Sequence, residues 1–252
     1  MRRFHGDSFA MYEFAQPHIR GKVLDIACGT GVGARFLTPL ATEVVGVDID
    51  EETIAYCNKH HRLPHLSFIL ADATKELPFP DNHFDTIVTF ETIEHLYPQE
   101  REKYLAQLHR VLKEDGVGLL STPQNGIEKQ TTICAPPKHP YDHKIEFSLR
   151  ELREELVTAG FTVTREGGIL YTLDPKGSRV HSTADGARDR LRVRISKMVP
   201  PIIKEQIGHR IFGFPHDIKH YAYVEKGLER ANTFFIVFKK TPRATKRQGE
   251  KQ

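Results

Sequence analysis

Tryptophan is absent from this sequence, and cysteine occurs only three times, at Cys28, Cys57 and Cys134. An odd, unpatterned set without CxxC spacing gives no zinc site and no disulfide framework, so reduced thiols are expected, with Cys28 a small loop residue rather than a nucleophile. Long hydrophobic runs are missing as well: none approaches the ~20 residues a membrane span needs. No apolar segment of signal-peptide type follows the opening Met1-Arg2-Arg3, and a soluble, cytoplasmic chain is the expectation. Charge of one sign is also lacking, since 36 Lys and Arg face 33 Asp and Glu. The resulting +3 is too small to imply a polyanionic partner. What is present is 252 residues with 39% hydrophobic side chains, enough for one α/β domain plus an inserted or appended part.

The chain is organised around Val23 to Asp50, VLDIACGTGVGARFLTPLATEVVGVDID. It reads as a buried strand, a glycine turn, a helix and a second strand ending in carboxylates. Gly29, Gly31 and Gly33 let backbone N–H groups approach a ligand where a Cβ would collide. Asp48 follows Gly29 by 19 residues and falls at the carboxyl edge of the neighbouring parallel strand, where an acid accepts hydrogen bonds from both hydroxyls of a ribose. Gly29, Gly31 and Ala34 also satisfy the dinucleotide fingerprint, so at this point a nicotinamide and another adenosine ligand stand as alternatives.

Short β runs then alternate with helical segments, the mark of a parallel sheet. Residues 1–20 read as a leading helix with Phe9, Tyr12, Phe14 and Ile19 as its apolar positions. Strands are expected at 22–26, 43–48, 66–70, 84–90, 117–121 and 161–166, with helices at 33–40, 51–61, 100–112 and 149–159. A last strand is expected at 233–238. The third strand delivers Asp72 and Ala73 to the same sheet edge as Asp48.

Five segments in this order, VLDIACGTG, VVGVDID, ILADA, LPFPDNHFDTIVTFETIEHL and HRVLKEDGVGLLSTP, resemble the class I S-adenosylmethionine-dependent methyltransferases over about residues 20–165. The resemblance implies a Rossmann-like, seven-stranded, mostly parallel sheet in a three-layer α/β/α arrangement, its last strand antiparallel and slipped between two others. It also decides the ligand in favour of S-adenosylmethionine. Asp25, Ala27, Cys28, Gly29 and Gly31 would hold the methionine end, Asp48 the ribose hydroxyls, and Asp72 with Ala73 the adenine amine; Phe90 would wall the methionine moiety, and Ile49 is a further cofactor-binding residue. The alternatives are that Asp25 only braces the loop and that Phe90 is core.

Methyl transfer from a sulfonium needs alignment and exclusion of water rather than a covalent nucleophile, but a hydroxyl acceptor must lose its proton. Glu91, Glu94 and His95 share a face if the chain turns helical after strand four. Two carboxylates and an imidazole there suit Mg²⁺ or Mn²⁺. ExxEH, STP and DHKIEF resemble the methyltransferases that hold a divalent cation with two glutamates and two histidines, and by that resemblance His143 is the fourth ligand. Such an ion would polarise a substrate oxygen. The metal-free alternative makes Glu94, His95 and His143 the groups that accept the proton. His139 and Tyr141 flank the same loop.

The expected organisation is therefore a helix at 1–20, a cofactor-binding core at 21–166, a substrate lid at 167–231, a closing strand at 232–240 and a basic, disordered tail at 241–252. In the lid, Arg188, Arg190, Arg192, Arg194 and Lys197 form a solvated face or a grip on an acidic acceptor. The expected activity is methylation of a hydroxyl on a small molecule, a glycan or a lipid-linked acceptor. Ribose 2′-O-methylation of RNA is the alternative, set back by the low net charge; methylation of nitrogen and cofactor binding without catalysis are the others.

Overall fold

The computed structural model describes residues 6–126, 132–133, 142–171, 221–228, 231 and 233–242. The chain opens with helix α1, Gly6–Ala15, and then alternates β1 Lys22–Ile26, α2 Val32–Leu37, β2 Glu43–Asp48, α3 Glu51–His60, β3 Leu66–Leu70 and β4 Phe84–Phe90. There follow α4 Pro98–Val111, β5 Leu112–Pro123, β6 Thr132–Ile133, β7 Ile145–Glu146, α5 Leu149–Thr158, β8 Phe161–Tyr171, β9 Tyr221–Val224 and β10 Thr233–Lys240. Helix starts carry the chemistry that starts helices. The Asp50 side chain accepts from the Thr53 N–H at 3.0 Å ahead of α3, and Pro98 occupies the first turn of α4, which begins two residues before the expected Glu100.

The main sheet runs β3-β2-β1-β4-β5-β10-β8-β9. The left half is parallel, and β10 lies antiparallel between β5 and β8, as expected. The expected count of seven strands is corrected to eight in this sheet among the described residues. The additional strand, β9, pairs antiparallel with Gly168–Tyr171 at the sheet's edge, so both described ends of the expected lid belong to the sheet. Residues 172–220, with the arginines and lysine named above, lie outside the described residues, as do His139, Tyr141, Cys134 and the tail from 243. A separate ribbon pairs β6 with β7.

Side chains of successive strand residues go to opposite faces, and both faces are covered. Leu24 and Ile26 of β1 and Phe234, Ile236 and Phe238 of β10 pack on one side with Leu105 and Leu108 of α4 and Leu152 and Leu156 of α5. Val23, Phe235 and Val237 go to the other side, against Met11 and Tyr12 of α1 and Phe36 and Leu37 of α2. A run apolar at every position, such as Phe234–Phe238, is what a strand buried on both faces requires. This three-layer sandwich leaves the carboxyl ends of β1 to β5 as one open edge, and the glycine turn stands there. Among the described residues, no helix is long and apolar enough to cross a membrane.

Candidate functional site

The turn after β1 is tied down peptide by peptide. The Cys28 N–H donates to the Val47 carbonyl at 3.0 Å, the Gly29 N–H to Asp48 Oδ2 at 2.9 Å, and the Gly31 N–H to the Cys28 carbonyl at 3.0 Å. Gly29 has φ +52°, and a Cβ built there would meet no atom within 4 Å, so an open crevice adjoins it. Gly31 has φ +74°, and a Cβ there would come within 2.7 Å of Phe68 and 2.8 Å of Cys57 Sγ. The first glycine keeps space for a ligand; the second lets the turn lie flat on its own core.

From below, α3 supplies the remaining ties. Cys57 Sγ donates to the Gly29 carbonyl at 3.3 Å, and His61 Nε2 lies 2.8 Å from the Thr30 carbonyl. Asp48, at the tip of β2, is 5% exposed and accepts from the N–H groups of Gly29 and Asp50. The neighbouring Ile49 and Leu70 are exposed apolar side chains, 62% and 48%, at the same edge. Asp72 accepts from the Thr74 N–H at 2.9 Å and the Thr74 hydroxyl at 2.7 Å and pairs with Lys75 at 3.1 Å. Although its partial burial acts the other way, these donors hold its carboxyl below the usual carboxylate range.

Asp25 is fully buried and accepts from the Tyr12 hydroxyl at 3.0 and 3.1 Å. Burial pushes its carboxyl up to about 8, with the Tyr12 bond acting in the opposite direction and Asp48 adding to the rise. Asp25 thus faces α1, and it braces the loop from beneath. Ala27 takes a positive φ of 56° at the loop's start, with its side chain exposed. The buried Phe90 ring stands edge-on to Tyr12 at 5.0 Å. Sequence reasoning placed Tyr12 only among the apolar residues of α1; its hydroxyl role depends on where α1 docks.

After β4 the chain does not become the helix that offset counting assumed. Glu91 adopts φ +50°, and a single 3₁₀ turn, Ile93–His95, follows. The structure therefore turns Glu91 away: Ser121 donates to Glu91 Oε1 at 2.9 Å. What it does bring together is Glu94, His95 and His143, whose potential ligand atoms all lie within 4.8 Å of one another. Glu94 is fully buried; Thr122 donates to its Oε2 at 3.0 Å, while Oε1 has no hydrogen-bond partner among the described residues and lies 3.8 Å from His95 Nε2. Burial, and then the nearby Glu91 carboxylate, raise the Glu94 carboxyl well above its usual range. The His95 Nδ1 lies 3.3 Å from the Asp142 carbonyl, which can only accept, so a proton sits on Nδ1, and Nε2 faces Glu94. The His95 and His143 rings stand 5.0 Å apart at 69°.

Comparison with known proteins bears on this edge. Residues 23–116, which carry the glycine turn, Asp48, Asp72 and the post-β4 turn, match the family model described as a methyltransferase domain. The chain is 38% identical over 149 residues, 59% of its length, to a probable S-adenosylmethionine-dependent methyltransferase of Mycolicibacterium smegmatis. Over the region that matches, the chain is similar to S-adenosylmethionine-dependent methyltransferases. A Mycobacterium tuberculosis protein named phthiotriol/phenolphthiotriol dimycocerosates methyltransferase is 40% identical over 104 residues, 40% of this chain and 37% of that protein. The chain spans about half the length of the curated relatives it matches, 55% of the first. In fold it is similar to the Burkholderia thailandensis 1,6-didemethyltoxoflavin-N1-methyltransferase, solved with its substrate and S-adenosylhomocysteine, with a TM-score of 0.58 at 17% identity over 92% of this chain and 77% of that one.

Proposed function

We propose that this chain transfers the methyl group of S-adenosylmethionine to a hydroxyl of a small or lipid-linked acceptor, with the Glu94, His95 and His143 cluster receiving the hydroxyl proton. The observation that carries this reading is that cluster, a buried carboxylate and two imidazoles at the open end of β4 beside the glycine turn. S-adenosylmethionine supplies an electrophilic methyl group on a sulfonium. The crevice fits it: space is kept free at Gly29, the Asp48 carboxylate stands at the tip of β2, and the exposed Ile49 offers an apolar surface where an adenine would lie.

In this reading Asp48 binds the ribose hydroxyls, Asp72 and Ala73 the adenine edge beside Ile49, and Ala27, Cys28, Gly29 and Gly31 the methionine end, with Asp25 holding the loop from below and Phe90 closing the wall. These residues fix the nucleoside so that acceptor oxygen, methyl and sulfur fall in line. Without an ion, His95 Nε2 takes the proton, since its Nδ1–H is committed to the Asp142 carbonyl.

The same cluster fits a divalent cation. Glu94 Oε1, which has no hydrogen-bond partner among the described residues, faces His95 Nε2 at 3.8 Å, and the Asp142 carbonyl orients the imidazole as carbonyls orient metal-bound histidines. Glu94, His95 and His143 would hold the ion, and it would polarise the acceptor oxygen. With Glu91 committed to Ser121, the set has two nitrogens and one oxygen, which suits Mn²⁺ or another first-row ion better than Mg²⁺. The relative named for phthiotriol dimycocerosates favours a hydroxyl on a lipid.

The test is a screen with methyl-labelled S-adenosylmethionine against lipid, glycan and RNA pools, with Mn²⁺ and with EDTA. Label is expected in the lipid fraction as a methyl ether, and chelation is expected to reduce it at least ~10-fold. Label on nitrogen or in RNA would overturn the acceptor class, and full transfer in EDTA would overturn the metal.

A further inference from the structure

His61 lies directly after α3, and its ring passes under the glycine turn. It is 4% exposed, and its Nε2 stands 2.8 Å from the Thr30 carbonyl. A carbonyl only accepts, so Nε2 carries the proton and Nδ1 is bare; Nδ1 is buried and has no partner among the described residues. Cys57, four residues earlier and so on the same side of α3, holds the Gly29 carbonyl. The two side chains grip consecutive carbonyls of the turn. The peptide plane that His61 grips is the one whose N–H, on Gly31, donates to the Cys28 carbonyl, so it is fixed at both ends. The open crevice at Gly29 adjoins this plane.

We propose that His61 is a positioning residue for the nucleoside cofactor, holding the Thr30 peptide in the orientation that keeps the turn open to the ligand, and that it does so in its neutral form. The inference rests on the reading of the glycine turn as the S-adenosylmethionine site. Charging the ring would put a proton on a buried Nδ1 that has no acceptor. The groups packed around it give that charge no counter-ion: Tyr56, Cys57 and His60 from α3, Arg35 from α2 and the apolar Phe68 from β3. Burial, with Arg35 and His60, accordingly lowers the affinity of the ring for a second proton, although the Thr30 carbonyl opposes this.

The experiment is calorimetric titration of the full chain with S-adenosylhomocysteine at several pH values, for wild type, His61→Phe and His61→Gln. Phe keeps the aromatic bulk without a donor, and Gln restores an N–H near the Nε2 position. His61→Phe is expected to weaken binding at neutral pH about 10-fold, as loss of one oriented hydrogen bond in a preformed site does. His61→Gln is expected to recover most of that loss. Wild-type affinity is expected to fall as pH drops below the ordinary imidazole range, and the Phe variant to lack that fall. If the Phe variant does not fold, the wild type alone decides: nuclear magnetic resonance of the His61 ring should show its pKa lowered further on S-adenosylhomocysteine binding, by reciprocity. A wild type that binds while the Phe variant binds equally, or a His61 titration that binding leaves unchanged, overturns the role of His61. A wild type that binds no S-adenosylhomocysteine overturns the cofactor reading beneath it.

Discussion

The Tyr12 hydroxyl stands 3.0 and 3.1 Å from the two carboxylate oxygens of Asp25, and both residues are buried. A helix that precedes β1 thus reaches into the floor of the glycine turn. Asp25 titrates near 3.8 when unfolded and at about 8 when folded, so the native state holds a proton that the unfolded chain has released. Its contribution to stability is whole below the unfolded value and is lost as pH rises through about 8. Between pH 6 and 9 the melting temperature of the wild type is expected to fall by about 5 °C or more, and that of Asp25→Asn to stay nearly level. Parallel profiles by scanning calorimetry would contradict this.

Asp48 ties the first turn to the second strand through the N–H groups of Gly29 and Asp50. Asp48→Ala leaves both donors without their acceptor, at a cost of about 1–3 kcal/mol in stability. On the proposed reading it also removes the ribose acceptor, so affinity for S-adenosylhomocysteine is expected to fall at least ~100-fold. Unchanged affinity by calorimetry would remove the ribose assignment.

The two loop glycines should separate stability from binding. Ala at Gly29 takes on a left-handed backbone, about 1 kcal/mol, but meets no neighbour, so the fold tolerates it while the new methyl fills the crevice. Ala at Gly31 adds contacts at 2.7 Å with Phe68 and 2.8 Å with Cys57 and is expected to cost about 2–4 kcal/mol in urea unfolding. Gly29→Ala should therefore lose the cofactor while keeping its melting temperature. The reverse ranking would misplace the crevice.

Glu94→Gln keeps an acceptor for Thr122 and removes the buried carboxyl. Stability is expected to hold within about 1 kcal/mol or to rise, because no ionisable group then remains to be desolvated. Mn²⁺ binding, followed by electron paramagnetic resonance, is expected to weaken at least ~10-fold in Glu94→Gln and in His143→Ala, with affinity for S-adenosylhomocysteine within about threefold of wild type. Full metal binding in both variants would leave the cluster with the proton alone.

Much of this edge could be read before the fold was seen. Lys22–Ile26, Glu43–Asp48, Leu66–Leu70 and Phe84–Phe90 fall on the expected residues because each apolar run is bounded by turn-forming or charged residues. β5 starts at Leu112 rather than Val117: Lys-Glu-Asp-Gly carries turn chemistry, yet the strand continues through an irregular pairing with Phe84–Thr86. The face shared by Glu91, Glu94 and His95 was misread, because periodicity supposes one backbone conformation and Glu91 sits in the left-handed region. Tyr12, Cys57 and His61 were missed as parts of the site, since each acts on a residue far along the chain that only the docking of α1 and α3 brings near. The Cys57 and His61 spacing on the inner face of α3 was the one local signal.

The position of β10 has a consequence for how the chain is made. β5 and β8 bond to nothing in each other; β10 lies between them, and it leaves the ribosome after both. Until Thr233–Lys240 emerges, a growing chain carries two unsatisfied strand edges lined with apolar side chains, the kind of surface that chaperones cover and that aggregates nucleate on. Synthesis halted before residue 233 should thus yield a sticky half-sheet rather than a smaller working enzyme.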